Sequence, residues 1–472
     1  MTSIKTLVTA GLLLAGAAVA FAGTDASVKV LPAATRTGTA TLQIVGDLGT
    51  NGATQLTGVE VHLKYDTTKV TFGAFTPAAG SDWANQGTSN TGGEFAIILT
   101  SGGSAAGPVG TIAVTLTGGA STLTKTVASA VSDQDYNTYY TPADTKVSVF
   151  TGALRTGLGA IAGAPSTGPG KVVAVAAGTS LKLLNAADLT DVAGFTAPAV
   201  GSVTGRPVFG MVGTQAVLAV GDDAGKLTIV DAGTGASVAA LALGAKVSTP
   251  AIAADGIYAA VTAATGPASV VKVVSGASNP FATLTGTSIL GAPAVFGGYV
   301  AVGTDAGLEI LRPDGVHQAT VGTSTTISPV IANGGLGLSA NATDLLPFNA
   351  VTGNGSATVA HGAGAVSEAW WDGNSVIFGT STGKILTVDV TTGVPTLSGT
   401  PLTSGSAITA QPISLGGVTY AQDVAGTVVS SSALEVALGS PSAKALAATG
   451  RTAGTDSVIA ATADGTVGAI AF

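Results

Sequence analysis

The sequence predicts an all-β protein built in two parts, and three observations carry that prediction. Short apolar runs alternate with Thr, Ser and Gly at a period of two. Turns of Gly and Asp separate the runs, and residues 151–472 repeat with a period of about 40. Of 472 residues, 68 are Gly, none is Cys and 9% are charged. An average soluble domain is about 25% charged, so this surface must be built mostly from Thr, Ser, Gly and Ala. Eighteen Lys and Arg against 26 Asp and Glu leave a net charge of −8, which argues against a nucleic-acid binder that depends on clustered basic residues. Beyond the N-terminus there is no run of about 18 apolar residues, so no helix is expected to span a bilayer.

The chain opens as an export signal. Lys5 supplies the positive start, residues 7–20 the apolar run, and Ala20-Phe21-Ala22 a small-x-small cleavage site before Gly23. No Cys stands at that site, which excludes a lipid anchor there. The mature protein is therefore expected to be secreted, at the cell surface or in the periplasm. Without disulfides, an exported chain of this length relies on core size for its stability.

Residues 23–150 lack the long period and read as a separate sandwich of two sheets. Strands are expected at 39–45, 59–65, 69–75, 94–100, 111–116, 123–131 and 146–150, with Gly- and Ser-rich turns between them.

In residues 151–472 the clearest marker is a Pro that opens an apolar strand: Pro165, Pro207, Pro250, Pro293, Pro329 and Pro412, at spacings of 42, 43, 43, 36 and 83. The last spacing is two steps, and the skipped one falls at Ala369-Trp370-Trp371. A second marker is a Gly-x-x-x-Gly hairpin, seen at Gly221–Gly225, Gly303–Gly307 and Gly379–Gly383. Strand-turn-strand cores start near Lys171, Ala216, Gly256, Gly298, Gly334, Asn374, Gly416 and Asp456. A single such sheet cannot bury both faces, whereas sheets stacked radially about an axis can, and that arrangement is a β-propeller. Eight blades are expected, with seven as the alternative. The last unit stops at Phe472 short of an outer strand, which residues 151–159 are placed to supply, closing the ring.

The repeats, read as apolar strand, Gly-Asp-Asp-Ala-Gly hairpin, apolar strand and Asp231-Ala232-Gly233-Thr234-Gly235, resemble the quinoprotein (PQQ-like) propeller family. That resemblance implies the fold. The catalytic members of the family carry an adjacent Cys pair, a Trp platform and acidic calcium ligands. This chain has no Cys, and its three Trp are Trp83, Trp370 and Trp371, so the activity does not carry over. In the first part, the run Gly58-Val59-Glu60-Val61-His62-Leu63-Lys64-Tyr65-Asp66 followed by Lys69-Val70-Thr71-Phe72 resembles a cohesin domain. The turn from Gly107-Pro108-Val109-Gly110 into an apolar strand and the closing segment Ser132-Asp133-Gln134-Asp135 match it as well. This resemblance implies a protein partner, a dockerin-like module carried by another polypeptide.

Four candidate features remain. Asp133, Asp135 and Asn137, with Asp144 at the twelfth position, place oxygen ligands at calcium-loop spacing. Thr138 stands where such a loop has Gly, no helices flank it, and a hairpin turn closed by Asp side chains uses the same residues. Trp83, Tyr136, Tyr139 and Tyr140 are the aromatic set for a sugar- or partner-binding platform, with packing at a sheet edge as the other reading. Gly379-Thr380-Ser381-Thr382-Gly383 has the G-x-S-x-G pattern of a hydrolase nucleophile, but it is in register with sister hairpins that carry Asp at the middle position, which makes it a blade turn. His62, His317 and His361 fall in different units with no partner at metal-ligand spacing.

The expected function is therefore that of a secreted, non-catalytic binding or scaffold protein without a cofactor. Its cohesin-like domain would bind an extracellular protein or a polysaccharide, and the propeller would serve as a rigid platform or second surface. The alternative is a structural subunit that self-associates into a surface layer or fibre, since low charge weakens repulsion between copies and long strands offer edges.

Overall fold

The computed structural model describes residues 26–471 except 36–37, 50–52, 136, 142–143, 323–328, 332–334, 357, 372–374, 391–395, 405, 416, 439–446 and 449–456. The export signal at 1–22, Tyr136 and the expected core starts at 334, 374, 416 and 456 lie outside the described residues. The described residues form strands and turns and no helix. The chain divides into two compact units: Met1–Gly152 with Glu435–Gly439, and Ala153–Leu434 with Ser440–Phe472.

The first unit is a sandwich. One sheet runs Ser27–Val30, Thr39–Asp47, Gly107–Leu116, Val70–Pro77. The other centres on Leu56–Lys64, which pairs with Glu94–Ser104 on one edge and with Ala130–Asp133 and Ala120–Lys125 on the other. Alternate residues of both sheets meet in one core, including Leu42, Ile44 and Ile112 from the first and Val61, Leu63, Ile97 and Leu99 from the second. The run 123–131, expected as one strand, is two. It breaks because Thr126 N–H donates to His62 O at 3.0 Å, while Ser129 Oγ accepts from His62 N–H at 2.9 Å.

Ala84–Thr91, absent from the expected strands, forms the outermost strand of the second sheet. Its sequence, Ala-Asn-Gln-Gly-Thr-Ser-Asn-Thr, has no β-branched aliphatic or aromatic residue and carries little strand propensity. The turn decides its conformation. Thr91 pairs with Glu94, and the two residues between them, Gly92 and Gly93, have φ of 64° and 80°, the left-handed pair that a tight hairpin needs.

The second unit holds seven separate sheets and an eighth set of strands joined to the strand ending at Arg155, one for each expected core. Each pairs its strands in sequence, as in Val208–Val212, Gln215–Gly221, Lys226–Asp231 and Ser237–Ala242. Their faces interlock in a circle. Leu181 of the first sheet packs with Leu218 of the second, Leu227 of the second with Ala259 of the third, Leu338 of the fifth with Phe378 of the sixth, and Ile459 of the eighth with Val173 of the first. Between the seventh and eighth, Gln422 Nε2 donates to Ala461 O at 3.1 Å. The ring is a β-propeller of eight blades.

The eighth blade, Ala447–Ala448, Ser457–Ala461 and Val467–Ala471, takes its outer strand from the start of the unit. The strand ending at Arg155 pairs with Val467–Ala471, and beyond it Leu158 and Ile161 N–H donate to Gly465 O (3.3 Å) and Ala463 O (3.1 Å). In several blades the central hairpin is closed by a side chain at one repeated position. Asp222 Oδ1 accepts from Ala224 N–H (3.0 Å) and Lys226 N–H (2.8 Å), and Asp423 Oδ1 accepts from Ala425 N–H (3.0 Å) and Thr427 N–H (2.9 Å). Thr380 Oγ1 accepts from Lys384 N–H at 3.0 Å in the same place.

Asp222 is buried and also accepts from Gly201 N–H at 3.1 Å. Asp222→Ala therefore strands three donors and is expected to lower unfolding free energy by about 2–3 kcal/mol. Asp314→Ala, which removes one bond in an exposed turn, is expected to cost within about 1 kcal/mol. Urea unfolding of the two variants, read as midpoint shifts at unchanged slope, checks the difference.

Candidate functional site

The innermost strands of the first four blades stay half-exposed, while the strands behind them in the first two are largely buried. Where the chain enters those strands a cavity of about 260 Å³ opens. Its walls come from blades on opposite sides of the ring: Ala164, Arg206 and Thr249 from the first three, Glu368 and Gln411 from the sixth and seventh. These five are the residues immediately before Pro165, Pro207, Pro250, Ala369 and Pro412. The residue before the strand-opening position thus lines the cavity in these five blades. The sequence held this signal, since the Pro marker was visible, but the direction of the preceding side chain follows only from closing the ring.

Backbone crowding explains the small residues around the cavity. A Cβ on Gly163 would lie 1.6 Å from Gly205 O, so the first two blades meet here through bare backbone. Across the axis, Arg206 Nη1 donates to Gln411 Oε1, and Gln411 Nε2 donates to Ala369 O at 2.5 Å. Arg206 N–H donates to Thr249 Oγ1 at 3.0 Å. Gln411 and Thr249 are both buried. The result is an Arg whose guanidinium is held by one uncharged, fixed side chain, Gln411, and whose main chain is held by another, Thr249.

The residues singled out in the sandwich are arranged otherwise. Asp133 is buried, and all of its carboxylate is spent. Oδ1 accepts from Asp135 N–H (2.9 Å) and Asn137 N–H (3.0 Å), and Oδ2 accepts from Asn137 Nδ2 (3.1 Å) and Tyr139 OH (2.8 Å). Burial opposes its charge, but the bonds from Tyr139 and Asn137 outweigh it and hold the carboxyl below its ordinary value. Asp144 Oδ1 instead accepts from Val127 N–H at 2.9 Å. With Asp133 saturated and Asp144 committed elsewhere, these residues do not fit a calcium ion. They fit the turn that shares their spacing. Among the described residues no group of three His, Cys, Asp or Glu is placed to hold a metal.

The aromatic platform is likewise not assembled. Trp83 is buried in the sandwich core and Tyr139 is buried with its hydroxyl on Asp133, leaving Tyr140 as the exposed one among the three that are described. Ser381 lies in a blade hairpin, its N–H donating to Ala365 O at 2.7 Å, just as Asp223 N–H donates to Ser202 O at 2.8 Å in a sister blade.

Two further charged groups of the sandwich stand out: His62, weighed in the sequence and set aside as a metal ligand, and Lys125, not singled out there. His62 lies on the face of Leu56–Lys64 turned away from the core, with Nε2 2.7 Å from Glu60 Oε1 and Nδ1 2.9 Å from Glu94 Oε1. Lys125 occupies an inward position of Ala120–Lys125, and its ammonium donates to Val28 O at 2.7 Å and Thr141 Oγ1 at 3.1 Å, joining the two sheets. A Lys at the end of an alternating strand reads as an exposed terminus. Its burial is set by the strand Ser27–Val30, which the expected strands did not include.

No protein-family model matches the chain, and no curated protein is similar enough to match. Solved structures do resemble it. The computationally designed Ika8 protein is 17% identical, with a TM-score of 0.55, over 67% of this chain and 98% of its own. Sqt1 of Saccharomyces cerevisiae, a WD40 propeller, is 12% identical, with a TM-score of 0.55, over 68% of this chain and 98% of its own. BamB from Moraxella catarrhalis is 16% identical over 65% and 96%, with a TM-score of 0.48. Such likenesses show the fold alone.

The two charged sandwich groups set opposite pH responses. Glu60, helped by Glu94, raises the His62 pKa against the effect of burial, so His62 contributes stability that is full below about pH 6.5 and lost as pH rises through its folded value. Burial lowers Lys125 to about 8 from 10.5, so between those values the unfolded chain binds the extra proton and stability rises with pH. Thermal unfolding across pH is expected to show a dip between the two. His62→Gln should flatten the acid limb, and Lys125→Met the alkaline one.

Proposed function

We propose that this is an exported, non-catalytic binding protein whose sandwich engages a protein partner, with the propeller as a rigid platform. The observation that carries this reading is the strand Ala84–Thr91. One edge pairs with Glu94–Ser104, and among the described residues no strand pairs with the other. Seven of its eight residues are exposed. Edge strands are ordinarily protected by charge, by Pro or by being very short. This one is eight residues long and has neither charge nor Pro, and its single bulge lies at Asn85–Gly87 near one end. A row of free N–H and C=O groups invites an added strand from a partner, with main-chain bonds giving affinity.

The resemblance to cohesins supports a protein partner over a polysaccharide, and a dockerin-like module on another polypeptide is the partner it favours. The propeller supports a platform role because its charged side chains are largely committed to its own turns, as at Asp222, Asp305 and Asp423. The same unprotected edge also favours the second reading, a subunit that pairs with its own copies.

Ser89, the one part-buried residue of the strand, lies opposite Ala96 on the face away from the core, and Ser89→Lys places a charge on the edge. Pull-down from envelope and secreted fractions with the full mature chain is expected to recover one saturable partner, and Ser89→Lys to lose it. Capture that the substitution leaves unchanged would remove the edge from the account. Recovery of the protein itself alone would replace the receptor reading with self-assembly.

A further inference from the structure

We propose that the axial cavity of the propeller binds a single carboxylate group through Arg206, a site independent of the partner of the sandwich. Among the described residues the other cations of the propeller that reach an acid do so at the surface, as Arg155 does with Asp191 (2.9 Å), Lys246 with Asp223 (3.2 Å) and Lys272 with Asp255 (2.7 Å). Arg206 has no carboxylate within ion-pair distance. Its backbone is tied to Thr249 and one Nη1 hydrogen to Gln411, while its other side-chain N–H groups have no acceptor among the described residues. A half-buried guanidinium fixed in this way offers the planar fork that a carboxylate meets with two parallel bonds. Its conformational cost is already met by the protein, because Gln411 is in turn held by Ala369 O.

The remaining walls set the size of the ligand. About 260 Å³ lies under the 300–1,000 Å³ usual for drug-sized ligands, and the lining beside the polar residues is Ala and Gly. A small carboxylate satisfies the size limit and the single guanidinium, whether it arrives as a free metabolite or as the terminal carboxylate of a peptide.

Calorimetric titration of the full mature chain tests this with acetate, glycine, and an N-acetylated tripeptide as free acid and as amide, using phosphate and chloride as controls. At least one carboxylate probe is expected to bind saturably at one site, more tightly than phosphate or chloride. Acetate or glycine would identify a free metabolite, and the peptide acid without its amide a protein terminus. Arg206→Gln should weaken binding by at least about tenfold, and Arg312→Gln, at an exposed position, should leave it unchanged. If Arg206→Gln fails to fold, Arg206→Lys keeps the charge without the fork and is expected to weaken binding. Absence of saturation with every probe, or equal affinity in the Arg206 variant, would overturn the proposal.

Discussion

Everything in the larger unit follows from the need of a sheet standing edge-on to an axis to cover two faces at once. Each blade is apolar on both sides of its middle strands, as Gln215–Gly221 and Gly256–Thr262 show with consecutive buried residues in place of alternation. Such a sheet is stable only between two neighbours, so a chain of them is stable only as a circle. The clusters that join blade to blade, and the seam that joins the eighth to the first, are one cooperative condition.

Charge is scarce in this chain, and its placement separates architecture from recognition. Buried carboxylates serve as acceptors for turns. Glu309, fully buried, takes Thr285 and Gly286 N–H and Thr304 Oγ1, in the same manner as Asp133 and Asp222 in their hairpins. These groups are neutralised by the backbone and have little left for a ligand. Arg206 is the contrasting case, a cation whose neighbours position it without neutralising it.

The blades were legible because their punctuation is local. A Pro that opens a strand and a Gly-bounded hairpin act within a few residues, and eight strand pairs arose where those marks lie. Features decided by distant residues were not legible. The run 123–131 keeps its alternation through Thr126–Ser129, and only the main chain of His62 shows that it must break. The spacing of Asp133, Asp135 and Asn137 suits a metal loop and a closed turn equally, and Tyr139, arriving from the partner strand, selects the turn. Trp83 and Tyr139 are amphipathic residues whose exposure depends on which sheet covers them, and composition does not carry that. The axial residues were in view as neighbours of the Pro marker, yet their convergence exists only once the circle is complete.

The seam has a kinetic meaning as well. It pairs the strand ending at Arg155 with Val467–Ala471, so the contact that completes the ring spans some three hundred positions of sequence. A nascent chain can form every hairpin up to that point and still hold an open edge at each end. Its relative contact order is concentrated in one late event, and until then the exposed strands compete for neighbouring chains. Breaking that one seam would therefore leave a polymerisable arc of blades, an outcome quite different from a slightly weakened ring.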